Sequence, residues 1–143
     1  VELTLAGELA RDWQASAGVT LNSAKYAKAQ GSNKAGARFA AERPTRLIRL
    51  ATSYRLPGNL SAWRVGAAVR AQNRIFRTNV PIRQSGYAIV DLNAGWQATT
   101  RLDVSMSVTN LFDRSYYQSI SALDSGNAFG DPLSYNMTAR YRF

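Results

Sequence analysis

The sequence contains no cysteine and no histidine. The first absence removes disulfides and thiolate chemistry but leaves the compartment open. The second removes the commonest general base, the usual catalytic triads and most zinc sites. Acidic residues are scarce, with nine Asp and Glu against eighteen Lys and Arg in 143 residues, a net charge of +9. No apolar run approaches the length of a membrane-spanning helix. No charged start followed by an apolar core and a small-residue cleavage site marks a signal peptide. No segment keeps a helical period over three turns, so no recognition helix or phosphate loop is expected, and nucleic acid is not expected as a partner despite the charge. Asp103, Asp113, Asp124 and Asp131 are scattered and lack the spacing of a calcium loop, so no metal site is expected.

What is present is alternation. In residues 132–143 (PLSYNMTARYRF), Leu133, Tyr135, Met137, Ala139, Tyr141 and Phe143 share one side of an extended strand. Ser134, Asn136, Thr138, Arg140 and Arg142 share the other, because strand side chains point alternately to opposite faces. The same two-residue period recurs from the start. Val1, Leu3, Leu5, Gly7 and Leu9 oppose Glu2, Thr4, Ala6 and Glu8, which reads as a strand already under way and suggests a piece of something longer. Further strands follow at 13–24, 45–56, 63–72, 88–97 and 102–109. The expected fold is all-β, an antiparallel up-and-down meander of about seven strands with no internal domain boundary.

Two regularities bear on what covers the apolar face. Of about 38 apolar-face positions, a charged content of 19 % predicts roughly seven charged residues, and none is counted from Val1 to Phe143. Charge facing lipid near the midplane costs about 2–4 kcal/mol, so a membrane barrel enforces this pattern, though the core face of a β-sandwich enforces something similar. The connections also alternate in length. Short ones at 11–12, 57–62 and 98–101 alternate with long ones at 25–44, 74–86 and 113–131, as periplasmic turns alternate with extracellular loops. Trp13, Tyr54, Trp63, Trp96, Tyr141 and Phe143 fall at the short-turn ends, where an aromatic girdle belongs. Together these favour a transmembrane β-barrel over a soluble sandwich.

Three stretches carry a family resemblance. Residues 108–117 (VTNLFDRSYY), with Asn-Leu-Phe-Asp leading into a Tyr-containing loop, resemble the penultimate-strand signature of TonB-dependent outer-membrane receptors. Residues 130–143 resemble the family's closing strand, with Pro132-Leu133 departing from the commoner Pro-Arg. Residues 54–58 (YRLPG) and 85–92 (SGYAIVDL) are similar to the ferric-siderophore branch. The resemblance implies a barrel of about 22 strands plugged by an N-terminal domain, of which this chain is the C-terminal third without the plug. It implies TonB-dependent uptake of a ferric siderophore at the bacterial outer membrane, with TonB engaged through the missing N-terminal part and iron present only inside the ligand. Haem or cobalamin as ligand, a structural or adhesive barrel, and an outer-membrane hydrolase are the alternatives; with no histidine, no catalytic residue and no enzyme activity are expected.

The loops suit an anionic ligand with planar chelating groups, since Arg offers a fixed fork of donors and Tyr a ring with a polar tip. Tyr87, Tyr116, Tyr117, Arg74 and Arg83 are the candidate ligand contacts. The competing roles are lipopolysaccharide phosphates for the basic loops and the upper girdle facing lipid headgroups for the tyrosines. Phe143, Tyr141 and Tyr135 are similar to the terminal signal read by the barrel-assembly machinery. Asp91 and Asp103 are expected to pair with neighbouring inward-facing arginines. An open sheet with two unpaired edges is the expected form of the isolated chain.

Overall fold

The computed structural model describes every residue except Ser32, Thr78, Asn79 and Asp124, so Asp124 lies outside the described residues. Among the described residues eleven strands are present: β1 (Glu2–Ala10), β2 (Trp13–Leu21), β3 (Arg46–Arg55), β4 (Trp63–Gln72), β5 (Ile75–Phe76), β6 (Arg83–Gln84), β7 (Tyr87–Gln97), β8 (Leu102–Thr109), β9 (Tyr117–Ser119), β10 (Ala128–Phe129) and β11 (Ser134–Tyr141). Seven of them make one antiparallel sheet in the order β1-β2-β3-β4-β7-β8-β11, each pairing with the next sheet strand along the chain. The meander expected from the alternation is therefore the fold. The other four form two hairpins, β5–β6 and β9–β10, inside the second and third long loops. The short connections are a two-residue turn at Arg11-Asp12, a segment holding a 3-10 turn (Gly58–Leu60), and residues 98–101.

Register keeps the two faces apart. Across the sheet, Ala17 pairs with Leu50, Leu50 with Val69, and Val69 with Val90. One residue along, Gly18 pairs with Arg49 and Arg49 with Arg70. Because the period is two, this offset places Ala17, Leu50, Val69 and Val90 on one side and Arg49 and Arg70 on the other. The sheet strands run eight to eleven residues. At about 3.3 Å per residue and a tilt near 45° they span about 19–26 Å, close to the apolar band of an outer-membrane barrel.

The apolar face has nothing packed on it. Leu50, near the middle of the sheet, is 47 % exposed, and Leu5 and Met137 are more so. Among the described residues the buried hydrophobic ones are Ala41, Ile75, Ile89, Tyr116 and Ile120, all in the long loops or beneath them on the polar face. A sandwich would bury its apolar face against a second sheet; this sheet leaves it for hydrocarbon. At the short-turn end the aromatic residues meet across strands, Trp13 edge-on to Tyr54 at 6.2 Å and Trp63 stacked on Trp96 at 5.4 Å. One charge departs from the sequence reading. Arg46 lies within β3 and pairs with Leu21, on the apolar side of the outermost row. At that depth a charge costs only about 0–1 kcal/mol, which is why the rim tolerates it.

Sidedness of this kind can be measured. Val69→Arg, flanked by Leu50 and Val90, is expected to cost about 2–4 kcal/mol of unfolding free energy in lipid vesicles. Ala68→Arg, one residue away on the polar face, is expected to cost less than half of that. Equal losses at the two positions would overturn the assignment of faces.

The sheet does not close on itself. Among the described residues β1 pairs only with β2 and β11 only with β8, as expected for a sector of a wider barrel.

Candidate functional site

The three long loops leave the sheet at the same end and are joined to one another. Asn73, just after β4, receives the N–H groups of Thr45 and Arg46 on its Oδ1 (3.0 and 2.9 Å) and donates to the Thr45 hydroxyl. Phe76 N–H donates to Ala41 O at 3.1 Å, and Arg77 faces Glu42 at 3.5 Å. The Arg38 guanidinium lies 5.3 Å from the centre of the Phe76 ring and donates to Arg43 O at 2.8 Å. These contacts tie the first loop to the second. The half-exposed Arg77–Glu42 pair is worth no more than about 1 kcal/mol, so the backbone and ring contacts do most of the joining. The third loop joins through Tyr117 N–H, which donates to Gln84 Oε1 at 3.0 Å, and through Tyr87, whose ring meets Tyr116 at 4.5 Å.

The five candidate contacts do not form one cluster. Arg74 and Arg83 are exposed and line a cleft of about 480 Å3 around the β5–β6 hairpin, together with Ile75, Phe76 and Pro81. Tyr87 is the first residue of β7 and pairs with Gln72, on the polar face with Asp91 and Asn93. It therefore faces inward rather than towards lipid. Tyr116 is 6 % exposed and packs against Gly130, where an added Cβ would fall inside its ring. Tyr117 turns the other way and stacks on Phe129 at 4.7 Å. A second cleft, about 360 Å3, lies where all three loops meet, lined by Tyr26, Arg38, Phe39, Glu42, Arg77 and Ser121 among others. The sequence marked this region only as basic; the Tyr26–Phe39 edge contact at 5.4 Å that gives it an aromatic wall comes from residues thirteen apart.

Beneath the rim, the Asn110-Leu-Phe-Asp113 stretch acts as a clamp. Asn110 is 1 % exposed and has φ of +53°, a conformation Asn tolerates better than most residues. Its Nδ2 donates to Arg114 O and Asp131 O (3.0 and 2.9 Å), and its Oδ1 accepts from Arg114 N–H (2.9 Å). Its own N–H donates to Asp91 Oδ1 at 2.9 Å, and Asp113 Oδ1 accepts from Leu133 N–H at 3.0 Å. The motif thus holds both ends of the third loop and the entry to β11. Asp91 also faces Arg70 at 3.8 Å, and Asp103 pairs with Arg142 at 3.0 Å. These are the arginine partners expected for the two carboxylates. At the far end of β11, Tyr135 and Tyr141 share the apolar face, and Tyr141 meets Phe143 edge-on at 5.3 Å. Among the described residues no group of three metal-ligating side chains occurs.

A meander with one bare apolar face, one polar face, an aromatic belt and long loops at a single end defines an outer-membrane β-barrel sector. The family described as TonB dependent receptor-like, beta-barrel matches residues 1–111, and the chain belongs to it. It is 31% identical to the ferripyoverdine receptor of Pseudomonas aeruginosa over 150 aligned positions, covering 99% of this chain and 17% of that protein. It is 31% identical to the ferric-pyoverdine BN7/BN8 receptor of Pseudomonas putida, covering 100% of this chain and 16% of that one. The crystal structure of the ferripyoverdine receptor of the Pseudomonas aeruginosa outer membrane, bound to ferripyoverdine, superposes with a TM-score of 0.84 at 30% identity, over 98% of this chain and 19% of that one. The chain therefore spans less than a fifth of the length of these relatives.

Proposed function

We propose that these seven strands are the C-terminal sector of a longer TonB-dependent receptor barrel, and that the receptor imports a ferric siderophore across the outer membrane. The observation that carries this reading is the rim. Three long loops are tied into one body above a polar wall, and the body presents arginines and aromatic rings towards two clefts. Ferric siderophores are often anionic and carry planar chelating groups, which matches that chemistry. The two pyoverdine-receptor relatives make pyoverdine-type complexes the first ligands to try. Tyr87, Tyr117, Arg74 and Arg83 are the proposed contacts, with Tyr116 setting the position of Tyr87 through its ring contact. Polypeptide outside these strands supplies the plug and the segment that engages TonB; the apolar face meets outer-membrane lipid, and Arg46 and the exposed loop cations meet lipopolysaccharide phosphates.

Deleting the gene is expected to abolish uptake of radiolabelled iron from the cognate siderophore and to slow growth under iron starvation. Unchanged uptake and growth would overturn transport and favour a structural or adhesive barrel. Complementation with a receptor lacking Phe143 tests the assembly role of the terminal face, and the amount of folded receptor in the outer membrane should fall at least several-fold. A normal level would leave Phe143, Tyr141 and Tyr135 with lipid packing alone.

A further inference from the structure

On the apolar side, bulk is spread unevenly near the short-turn end. Ala15 pairs with Thr52 and Thr52 with Ala67, a low row across β2, β3 and β4. Leu50 and Val69 stand one row further from the turns, and Trp13, Tyr54 and Val65 one row nearer to them. The low row ends where Ala67 meets Leu92 on β7. Between these walls lie two adjoining cavities of about 640 and 570 Å3, which share Trp13, Thr52 and Ala67. The first opens at Arg11 in the β1–β2 turn, and the second reaches Leu50 and Val69.

The two ends of this groove differ in chemistry. Trp13 Nε1 donates to the Thr52 hydroxyl at 2.7 Å, and that hydroxyl donates to Gln14 O at 3.0 Å. The indole N–H and the hydroxyl of the floor thus satisfy one another, and the surface left to touch is hydrocarbon. A polar solute would give up water there for no partner. Trp13 is also set edge-on to Tyr54, so that wall is held from two sides. At the mouth, the Arg11 side chain is 97 % exposed and faces Asp12 at 3.8 Å. An exposed pair of this kind holds a guanidinium weakly, and a phosphate matches the guanidinium fork in two-point geometry. Trp13 to Ala17 covers four residue steps, about 13 Å along the strand. At a tilt near 45° the groove descends about 9 Å from the headgroup level, within a leaflet whose hydrocarbon is about 15 Å deep. A molecule with a phosphate ester at one end and a hydrocarbon chain at the other fits both ends at once.

We propose that this groove is a site for one glycerophospholipid of the periplasmic leaflet, with its phosphate on Arg11 and one acyl chain lying over Ala15, Thr52 and Ala67. The rest of the apolar face meets lipid that exchanges freely; here one molecule is held in place. The proposal rests on the outer-membrane placement of the sheet and is independent of the siderophore.

The full-length receptor, extracted in mild detergent and weighed by native mass spectrometry, is expected to keep one phospholipid. Ala67→Phe fills the floor from a lipid-facing position, and Arg11→Gln removes the cation; each should cut the lipid-bearing fraction at least fivefold. Ala94→Phe, on the same face but outside the groove, should leave it unchanged. Delipidated receptor should take up phosphatidylglycerol or phosphatidylethanolamine at least fivefold better than diacylglycerol, which lacks the phosphate. A second measurement uses the unmodified receptor in vesicles with a trace of phosphatidylglycerol that carries a diazirine on its acyl chain. Illumination expels dinitrogen, and the carbene left behind inserts into a neighbouring C–H bond. Labelling is expected to be several-fold denser in residues 11–17, 50–54 and 65–69 than in 102–108 and 135–141. Even labelling of the whole face, retention unchanged in folded Ala67→Phe, or equal uptake of diacylglycerol overturns the proposal. A lipid-free dimer also overturns it and gives the groove to a second copy. Should Ala67→Phe fail to fold, the labelling of the unmodified receptor decides alone. Import without a bound lipid sinks this proposal only; a bound lipid without import sinks only the siderophore reading.

Discussion

Asn110→Ala is expected to lower the unfolding free energy of the receptor by about 3–5 kcal/mol, among the largest losses available from one polar side chain. The substitution orphans Arg114 O, Asp131 O and Arg114 N–H in a place where Asn110 is 1 % exposed. Each buried group left unpaired costs about 1–3 kcal/mol. Alanine must also hold a φ of +53° that costs a further 1–2 kcal/mol or so without the local hydrogen bonds. Asn110→Gly separates the two contributions, because glycine accepts the backbone conformation but restores none of the bonds. It should recover about 1 kcal/mol and no more. Urea unfolding in detergent, read by heat-modifiable gel mobility, is the measurement. A loss below about 0.5 kcal/mol for Asn110→Ala would mean that the clamp does not hold the third loop to β11.

The second large effect concerns Gly130, and it should be local rather than global. Its N–H donates to Tyr116 O at 2.9 Å, and a methyl group at its Cα would fall within the Tyr116 ring. That ring is buried and backed by Tyr87, so it cannot yield without disturbing the polar face at the rim. Gly130→Ala is therefore expected to displace the β9–β10 hairpin while the seven-stranded sheet persists. Overpacking of this kind costs about 1–3 kcal/mol, which should appear as proteolytic cleavage within residues 110–133 and a siderophore affinity reduced at least tenfold. Adding Tyr116→Ala relieves the clash and should restore protease resistance. It should not restore affinity, because Tyr87 then lacks the ring that positions it. Recovery of both by the double variant would remove Tyr116 from the positioning of the site.

How far the sequence discloses this molecule follows from where neighbours lie along the chain. The meander is legible because each strand pairs with the next, and because hydrocarbon on one side and water on the other impose a period of two. Leu50, Arg49 and their partners obey it without a gap. Arg46 lies inside the expected strand at 45–56, yet it escapes the sequence tally because the aliphatic run that marks the apolar face begins only at Ile48. The loop hairpins are invisible for a different reason: Ile75-Phe76 and Arg83-Gln84 are two-residue strands, too short to show any period. Parity does place Tyr87 on the polar side with Asp91 and Asn93, but it carries no information for Tyr116 and Tyr117, which lie off the main sheet. The Asn110 motif is visible as a family signature, yet its partners stand 4, 19 and 21 residues away. No local pattern tells that a lone Asn will close three segments at once.

The sheet's two margins have a practical consequence. β1 and β11 each carry one row of N–H and C=O groups with no bonding partner in the sheet, and in hydrocarbon every such group costs several kcal/mol. A polypeptide of this sequence, refolded alone into micelles, should seek relief by joining copies edge to edge, and analytical ultracentrifugation would record a ladder of species rather than a monomer. Supplying the flanking hairpins in trans is the natural remedy, which makes split-receptor reconstitution a sensible route to biochemical work on these strands.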